Sequence, residues 1–268
     1  MDRPRVFPMT FEFFSATDRG RVRNNNEDSV ALDDSVGLMV LADGMGGYNA
    51  GEVASGMATA FIQRELGQWL AEAGPDASDR EVRRAMDVCV DNANRAIFNA
   101  AHAEPQYAGM GTTLVVGVLR GSRLLLGHIG DSRAYRWRDD RLMQLTRDHS
   151  LLQEQIDAGL ISPEQAAHSN QKNLVTRAVG VEDVVLLEAH VHAVHPDDWF
   201  LMCSDGLSDM LDDAQISAVL REHAEIDKAA QALIDAANQA GGRDNIAVIL
   251  VAIHALPGAG QAWWPFRR

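Results

Sequence analysis

The chain has 268 residues, 46% of them hydrophobic, and a formal net charge of −14. This size and composition fit one large globular domain, and the acidic balance excludes a general binder of nucleic-acid backbones, which needs clustered Lys and Arg to displace counterions. Two cysteines, Cys89 and Cys203, give no disulfide framework, no apolar run approaches the roughly 18 residues of a spanning helix, and Met1-Asp2-Arg3-Pro4 has no signal-peptide core, so a cytoplasmic protein without a membrane span is expected.

In chain order, residues 11–16 read as the first strand and 36–42 as the next, the latter running into Asp43-Gly44-Met45-Gly46-Gly47. Val53, Met57 and Phe61, with Ala54, Ala58, Ile62 and Leu66, recur at steps of three and four, which predicts a long amphipathic helix over 51–70. The Ser78-x-x-Glu81 spacing is a capping box that opens a second helix, carried by Val82, Met86, Cys89, Ala93 and Ile97 to about residue 101. Residues 111–119 and 123–129 are dense in β-branched residues or leucine and read as strands buried on both faces, joined by a hairpin at Gly121-Ser122. Residues 134–138 form a further strand.

The stretch 150–182 has a different texture. Leu151, Leu152 and Ile156 make a short helix ended by Gly159, Ser162-Pro163-Glu164-Gln165 opens another, and 168–173 is polar and without period. It reads as a mobile flap. Beyond it Val185, Leu187, Ala189 and Val191 alternate with Glu188, His190 and His192, which predicts a half-buried strand with its histidines toward solvent. A strand over 199–203, helices over 213–221 and 227–240, a stop at Gly241-Gly242 and a buried strand over 246–253 complete the pattern. Trp263-Trp264-Pro265-Phe266 near the end is expected to dock on the body.

Hairpin connections and doubly buried strands predict an α+β fold: two packed antiparallel β-sheets flanked on both sides by α-helices, an αββα sandwich. One domain spans 1–268, with the core at about 10–254, the flap at 150–182 and a tail at 255–268.

Short acidic motifs punctuate this frame. Asp43 follows a buried strand, Asp131 and Asp205 do the same, and Asp244 immediately precedes one. Strand ends gathered at one rim would bring these carboxylates together. Several hard oxygen ligands converging on one cavity are what a pair of divalent cations requires, whereas a lone buried carboxylate is costly.

Arg23-Asn24-Asn25-Asn26-Glu27-Asp28, Leu41-Ala42-Asp43-Gly44-Met45-Gly46-Gly47, Gly111-Thr112-Thr113, Gly130-Asp131-Ser132-Arg133, Ser204-Asp205-Gly206 and Gly242-Arg243-Asp244-Asn245 occur in the order found in type 2C metal-dependent Ser/Thr protein phosphatases. Six ordered motifs over about residues 10–254 are far more specific than any one of them. The chain resembles a bacterial member of that family. The resemblance implies that Asp43 bridges two Mn²⁺ or Mg²⁺ ions, with Asp205 and Asp244 on the first and Glu27 and the Gly44 carbonyl on the second. It further implies that Asp28 orients metal-held water, that Asp131 with Asp205 forms a third metal site, and that Arg23 grips the substrate phosphate.

The implied activity is hydrolysis of phosphoserine and phosphothreonine in proteins by direct attack of an activated water, opposing a Ser/Thr protein kinase and carried out by a monomer. The chemistry fits the residue types: paired cations neutralise a phosphomonoester and supply a nucleophile near neutral pH, and an Arg holds the phosphorus in line. Met45 stands where animal relatives have the His read as general acid, and a thioether donates no proton. His149 is a candidate for that role or for a structural hydrogen bond.

Rival readings fare worse. In Gly46-Gly47-Tyr48-Asn49-Ala50-Gly51 the spacing of a phosphate loop is followed by Glu52-Val53 instead of Lys and Ser or Thr, and Asn49 occupies the third glycine position of a dinucleotide fingerprint. His190, His192 and His195 as zinc ligands are outweighed by the strand alternation, and Cys203 lacks the downstream Arg of a thiol phosphatase. A dead scaffold would have lost its metal carboxylates, and a metal-dependent nuclease would carry a basic stripe. Neither signature is present.

Overall fold

The computed structural model describes residues 9–47, 50–162, 165 and 174–255. Two antiparallel sheets pack face to face. The first has the order β1 (Met9–Asp18), β11 (Ile246–Ala255), β10 (Trp199–Cys203), β7 (Arg133–Arg138), β8 (Arg141–Gln144). The second runs β2 (Asp28–Asp33), β3 (Leu38–Met45), β5 (Leu114–Arg120), β6 (Arg123–Ile129), β9 (Glu188–Ala193), and the short β4 (Gly111–Thr112) pairs with the end of β3.

The expected sandwich is observed, and its layers follow from which residues the strands bury. Met39, Leu41, Val115, Leu124, Phe200, Met202, Ile249 and Val251 fill the space between the sheets. Their neighbours on the same strands point the other way, as the two-residue period of a strand demands. Leu38, Val40, Val116 and Leu125 meet the long helices α1 (Ala50–Ala73) and α2 (Asp79–Ala103). Tyr135, Leu201, Val248 and Leu250 meet the C-terminal helices, α5 (Asp213–Glu222) and α6 (Ile226–Gln239). Two short helices, α3 (Leu151–Asp157) and α4 (Asp205–Ser208), lie between these groups in sequence.

Several boundaries differ from the sequence reading. β3 continues to Met45, so Asp43 lies within a strand and not in the turn beyond it, because β4 adds pairs Gly44↔Thr112 and Met45↔Gly111 there. β2 is unpredicted: Asp-Ser-Val-Ala-Leu-Asp has little strand character alone and is held by pairing with β3. β8 is likewise a short edge strand fixed by its partner β7.

The histidines of β9 require a correction. His190 and His192 pair with Leu126 and Leu124, whose side chains belong to the core between the sheets. They therefore face the first sheet from an edge strand: His190 stays exposed, as expected, His192 is half-buried, and Val191, expected on the covered face, is exposed at 46%. β9 is the edge strand of its sheet, so its register with β6, and not its own alternation alone, fixes which face points inward. Among the described residues they join no cluster of three metal-ligating side chains. The expected flap segment 168–173 and the tail at 256–268 lie outside the described residues.

Candidate active site

Five chain segments deliver polar residues to one rim of the sandwich. β2 begins and β3 ends there, so Asp28 sits directly opposite Asp43 in the ladder. β6 ends at Ile129 and turns through Gly130, whose φ of 101° suits only glycine, into Asp131. β10 ends at Cys203 and passes into α4, whose first residue is Asp205. β11 starts just after Asp244, behind the turn at Gly241 and Gly242.

The result is a cavity of about 200 Å³ lined by Arg23, Glu27, Asp43, Gly44, Met45, Gly46, Thr113, Asp131, Val175, Asp205 and Asp244. Every sequence-predicted metal residue lies on it. Asp28 stands just behind. A larger cavity of about 790 Å³ shares Asp131 and Asp205 and continues between α3 and the segment 208–215.

The electrostatics of this cluster are those of an arrangement built for cations. Burial, and then Asp28, Asp205, Asp131 and Asp244, push the Asp43 carboxyl well above the usual carboxylate range. Asp205 is raised in the same way by burial and by Asp131 and Asp244. Burial lifts Asp28 to about 7 and, with help from Asp148, Asp131 to about 6. Glu27 is raised by burial, against the hydrogen bond from Asn25 Nδ2 at 3.1 Å. Like charges this close cannot all ionise without a counter-ion.

Asp28 Oδ2 accepts from Ser204 Oγ at 2.7 Å, while its buried Oδ1 has no hydrogen-bond partner. An orphaned buried carboxylate oxygen beside five further carboxylates and a backbone carbonyl is an all-oxygen donor set, and it fits Mg²⁺ or Mn²⁺. Arg23 Nη2 donates to Asp244 Oδ2 at 2.6 Å, and the guanidinium is half-exposed at the cavity mouth.

Residues without a role in the sequence reading hold this frame. Ser204 Oγ, besides serving Asp28, accepts from Ala247 N at 2.9 Å, tying β10 to β11. Thr113 Oγ1 accepts from Asp43 N at 3.0 Å and lies 2.7 Å from Ser132 Oγ, linking the Asp43 and Asp131 segments. Asn245 Oδ1 accepts from Glu27 N at 2.8 Å, and its Nδ2 donates to the carbonyls of Arg19 and Asn25. Each lies inside a quoted motif, and that adjacency was the only signal available. Gly44 and Gly206 permit close backbone approach: a Cβ on Gly44 would strike the Gly51 carbonyl, and one on Gly206 the Asn245 carbonyl.

His149 is not among the residues lining the smaller cavity. Its Nδ1 accepts from Gly130 N at 3.1 Å and its Nε2 lies 3.2 Å from Glu188 Oε2, so the structural hydrogen bond is realised and the general-acid alternative is set aside. Met45 lines the cavity as a thioether. Cys203 is fully buried and its thiol is pushed up to about 12 by that burial, which removes it as a nucleophile.

The sequence pattern described as Protein phosphatase 2C matches residues 17–241. The "Serine/threonine phosphatase stp" of Listeria innocua is 37% identical over 238 residues, 88% of this chain and 93% of that protein. Among solved structures, the Mycobacterium tuberculosis serine/threonine phosphatase PstP/Ppp superposes with a TM-score of 0.82 at 37% identity, covering 91% of this chain and 99% of that one. The catalytic domain of PstP in complex with two manganese ions gives a TM-score of 0.80 at 37% identity over 92% of this chain and 100% of the other.

Proposed function

This chain belongs to the protein phosphatase 2C family and is a metal-dependent serine/threonine protein phosphatase, and on that premise we propose how its residues divide the work. The carrying observation is the convergence of Glu27, Asp43, Asp131, Asp205 and Asp244 with Arg23 on one cavity. Asp43, Asp205 and Asp244 would hold one divalent cation, Mn²⁺ or Mg²⁺, and Asp43 with Glu27 and the Gly44 carbonyl a second, while Asp131 with Asp205 would hold a third. When bound, the cations neutralise the phosphomonoester and make a water acidic enough to act as nucleophile near neutral pH.

The protein's own groups do the rest. Asp28, held by Ser204 just behind the cavity and with Oδ1 otherwise without a partner, would orient the attacking water by accepting its hydrogen bond. Arg23 sits at the mouth, within reach of an incoming phosphate, and its fork-shaped donor set suits two phosphate oxygens. Because Met45 cannot protonate the departing Ser or Thr alkoxide, that proton comes from a water or another group and not from this side chain. No covalent enzyme intermediate is needed, because a water activated at the cation site would itself be the nucleophile.

The substrate is a phosphorylated protein segment. The larger cavity adjoining Asp131 and Asp205 offers it a path between α3 and the segment 208–215. We read the enzyme as a single domain that works as a cytoplasmic monomer in signal transduction and reverses a cognate Ser/Thr kinase. Two free buried cysteines are compatible with a reducing compartment, and no helix among the described residues is long and apolar enough to cross a membrane.

The test is release of phenol from an aryl phosphate and of phosphate from a phosphothreonine peptide, with Mn²⁺ and with chelator. Metal-dependent release from both substrates is expected. Release that survives the chelator, or none with metal present, would defeat the assignment.

A further inference from the structure

His149 uses every polar atom it owns. Its N–H donates to the Gly130 carbonyl at 2.9 Å and its Nδ1 accepts from Gly130 N at 3.1 Å, a reciprocal pair with the residue just before Asp131. Its carbonyl accepts from Thr176 N at 2.8 Å. Because Nδ1 is an acceptor, the neutral ring carries its proton on Nε2, aimed at Glu188 Oε2 3.2 Å away. Burial lowers the pKa of this ring, which keeps it neutral.

The neighbours extend these contacts. Asp148 is gripped by Arg133 through Nε at 3.0 Å to both oxygens and Nη2 at 2.6 Å. Ser150 bridges to Val175, and Leu151 N donates to Leu174 O at 2.9 Å. Four residues after Val175, Val179 exchanges hydrogen bonds with Thr112, whose hydroxyl donates to the Asp43 carbonyl at 2.8 Å. The segment 174–179 is thus strung between His149 at one end and Thr112 at the other, and Val175 within it lines the smaller cavity.

His128, His149 and Glu188 also lie close enough together to hold a metal ion. The hydrogen bonds argue against that use. The Nδ1 lone pair of His149 is taken by Gly130, its Nε2 carries the proton, and the Arg177 guanidinium lies 3.4 Å from Nε2, placing a positive charge where a cation would sit. His128 stacks on the ring at 4.6 Å and donates from Nε2 to the Arg147 carbonyl at 2.8 Å, so it serves as packing.

We propose that His149 is a positioning residue that latches the Asp131 turn to the segment 174–179, fixing together one carboxylate of the cation cluster and one wall of the catalytic cavity. It touches neither the phosphate nor the cations. The inference rests on the assignment of Asp131 as a metal carboxylate. Its chemistry requires an acceptor at the Nδ1 position, because the buried Gly130 N–H would otherwise be left unpaired.

The test compares the full-length protein with His149→Asn, His149→Gln, Glu188→Ala and Asp131→Asn. Mn²⁺ binding is followed by calorimetry, and kcat/KM is measured on an aryl phosphate and on a phosphothreonine peptide. Asn places its carbonyl where Nδ1 was and should hold Mn²⁺ within about threefold of wild type, whereas Gln, with its carbonyl one methylene further out, should weaken the weakest Mn²⁺ site about tenfold. His149→Gln should also lower peptide turnover more than aryl phosphate turnover. Glu188→Ala, at a half-exposed position outside the core, should weaken Mn²⁺ in the same direction by less, and it carries the test if the Gln variant does not fold.

Binding isotherms and substrate ratios unchanged from wild type in the Gln and Glu188→Ala variants, with Asp131→Asn impaired, would overturn the latch and leave the phosphatase assignment intact. An Asp131→Asn variant that binds Mn²⁺ like wild type would overturn the metal role of Asp131 and the latch with it. Wild-type protein inert toward both substrates with Mn²⁺ would defeat the functional assignment itself.

Discussion

Asp28 and Asp43 occupy directly opposed positions on the β2–β3 ladder, two carboxylates facing each other across one pair of strands. Like charges in that register destabilise a sheet. Asp28 is lifted to about 7 by burial first and by nearby carboxylates including Asp244, and Asp43 is held well above the carboxylate range. The fold carries this repulsion because the same geometry gathers oxygen ligands.

Stability of the protein without divalent cation should therefore fall as pH rises. Carboxyls whose folded pKa exceeds the unfolded value bind more protons in the native state, so the slope of unfolding free energy with pH is negative across the window between the two values. Asp28 and Asp131, raised from 3.8 to about 7 and about 6, place the steepest part between about pH 4 and 6, and the contribution of these two groups is gone above about pH 7. Thermal unfolding in chelator should show a higher Tm at pH 5.5 than at pH 7.5, and saturating Mn²⁺ should flatten or reverse that trend. A Tm that rises with pH in chelator would contradict the charge cluster.

Asp43→Asn should separate activity from stability. Loss of the shared carboxylate removes several kcal/mol of transition-state stabilisation, on the order of a thousandfold in kcat/KM. Relief of the opposed pair should leave the chelated variant as stable as wild type or more so, by up to about 1 kcal/mol. Steady-state kinetics at saturating Mn²⁺ together with denaturant melts would check both halves, and substantial residual turnover would contradict the ligand role.

Arg23→Ala should act mainly on KM. The side chain is about half exposed and its bond to Asp244 contributes little to the fold. A charge-assisted hydrogen bond to phosphate is worth about 1.5–3 kcal/mol, so KM should rise roughly tenfold or more with a smaller change in kcat. An unchanged KM would exclude the contact.

Gly206→Ala tests close approach at the rim. A Cβ there meets the backbone carbonyl of Asn245, which cannot move without shifting the start of β11. Overpacking against backbone should cost about 1–3 kcal/mol, and because Asn245 anchors Glu27, Mn²⁺ affinity should fall with stability. A variant with wild-type Tm and wild-type metal binding would refute this.

Shortening the segment between about residues 160 and 173 should spare aryl phosphates and impair phosphopeptides. Its flanks reach both cavities, α3 through Leu152 and Ile156 and the far side through Val175. Paired kcat/KM measurements on the two substrates decide the matter, and equal loss would rule out a role in protein-substrate choice.

Much of this molecule was written in local pattern. Doubly buried strands such as Ile246–Ala255, the capping box at Ser78 and the stripe of α2 follow from short-range periodicity, and ordered acidic motifs picked out the carboxylates that line the smaller cavity. Tertiary structure alone decided the rest. Asp28–Asp33 becomes a strand only because β3 pairs with it, and the β9 histidines turn toward the other sheet because their partners Leu124 and Leu126 do. The links from Thr113 to Asp43 and from His149 to Gly130 join residues distant in sequence. A hydrogen bond across such a separation leaves no periodic trace in the chain, since its geometry exists only after the sheets have packed.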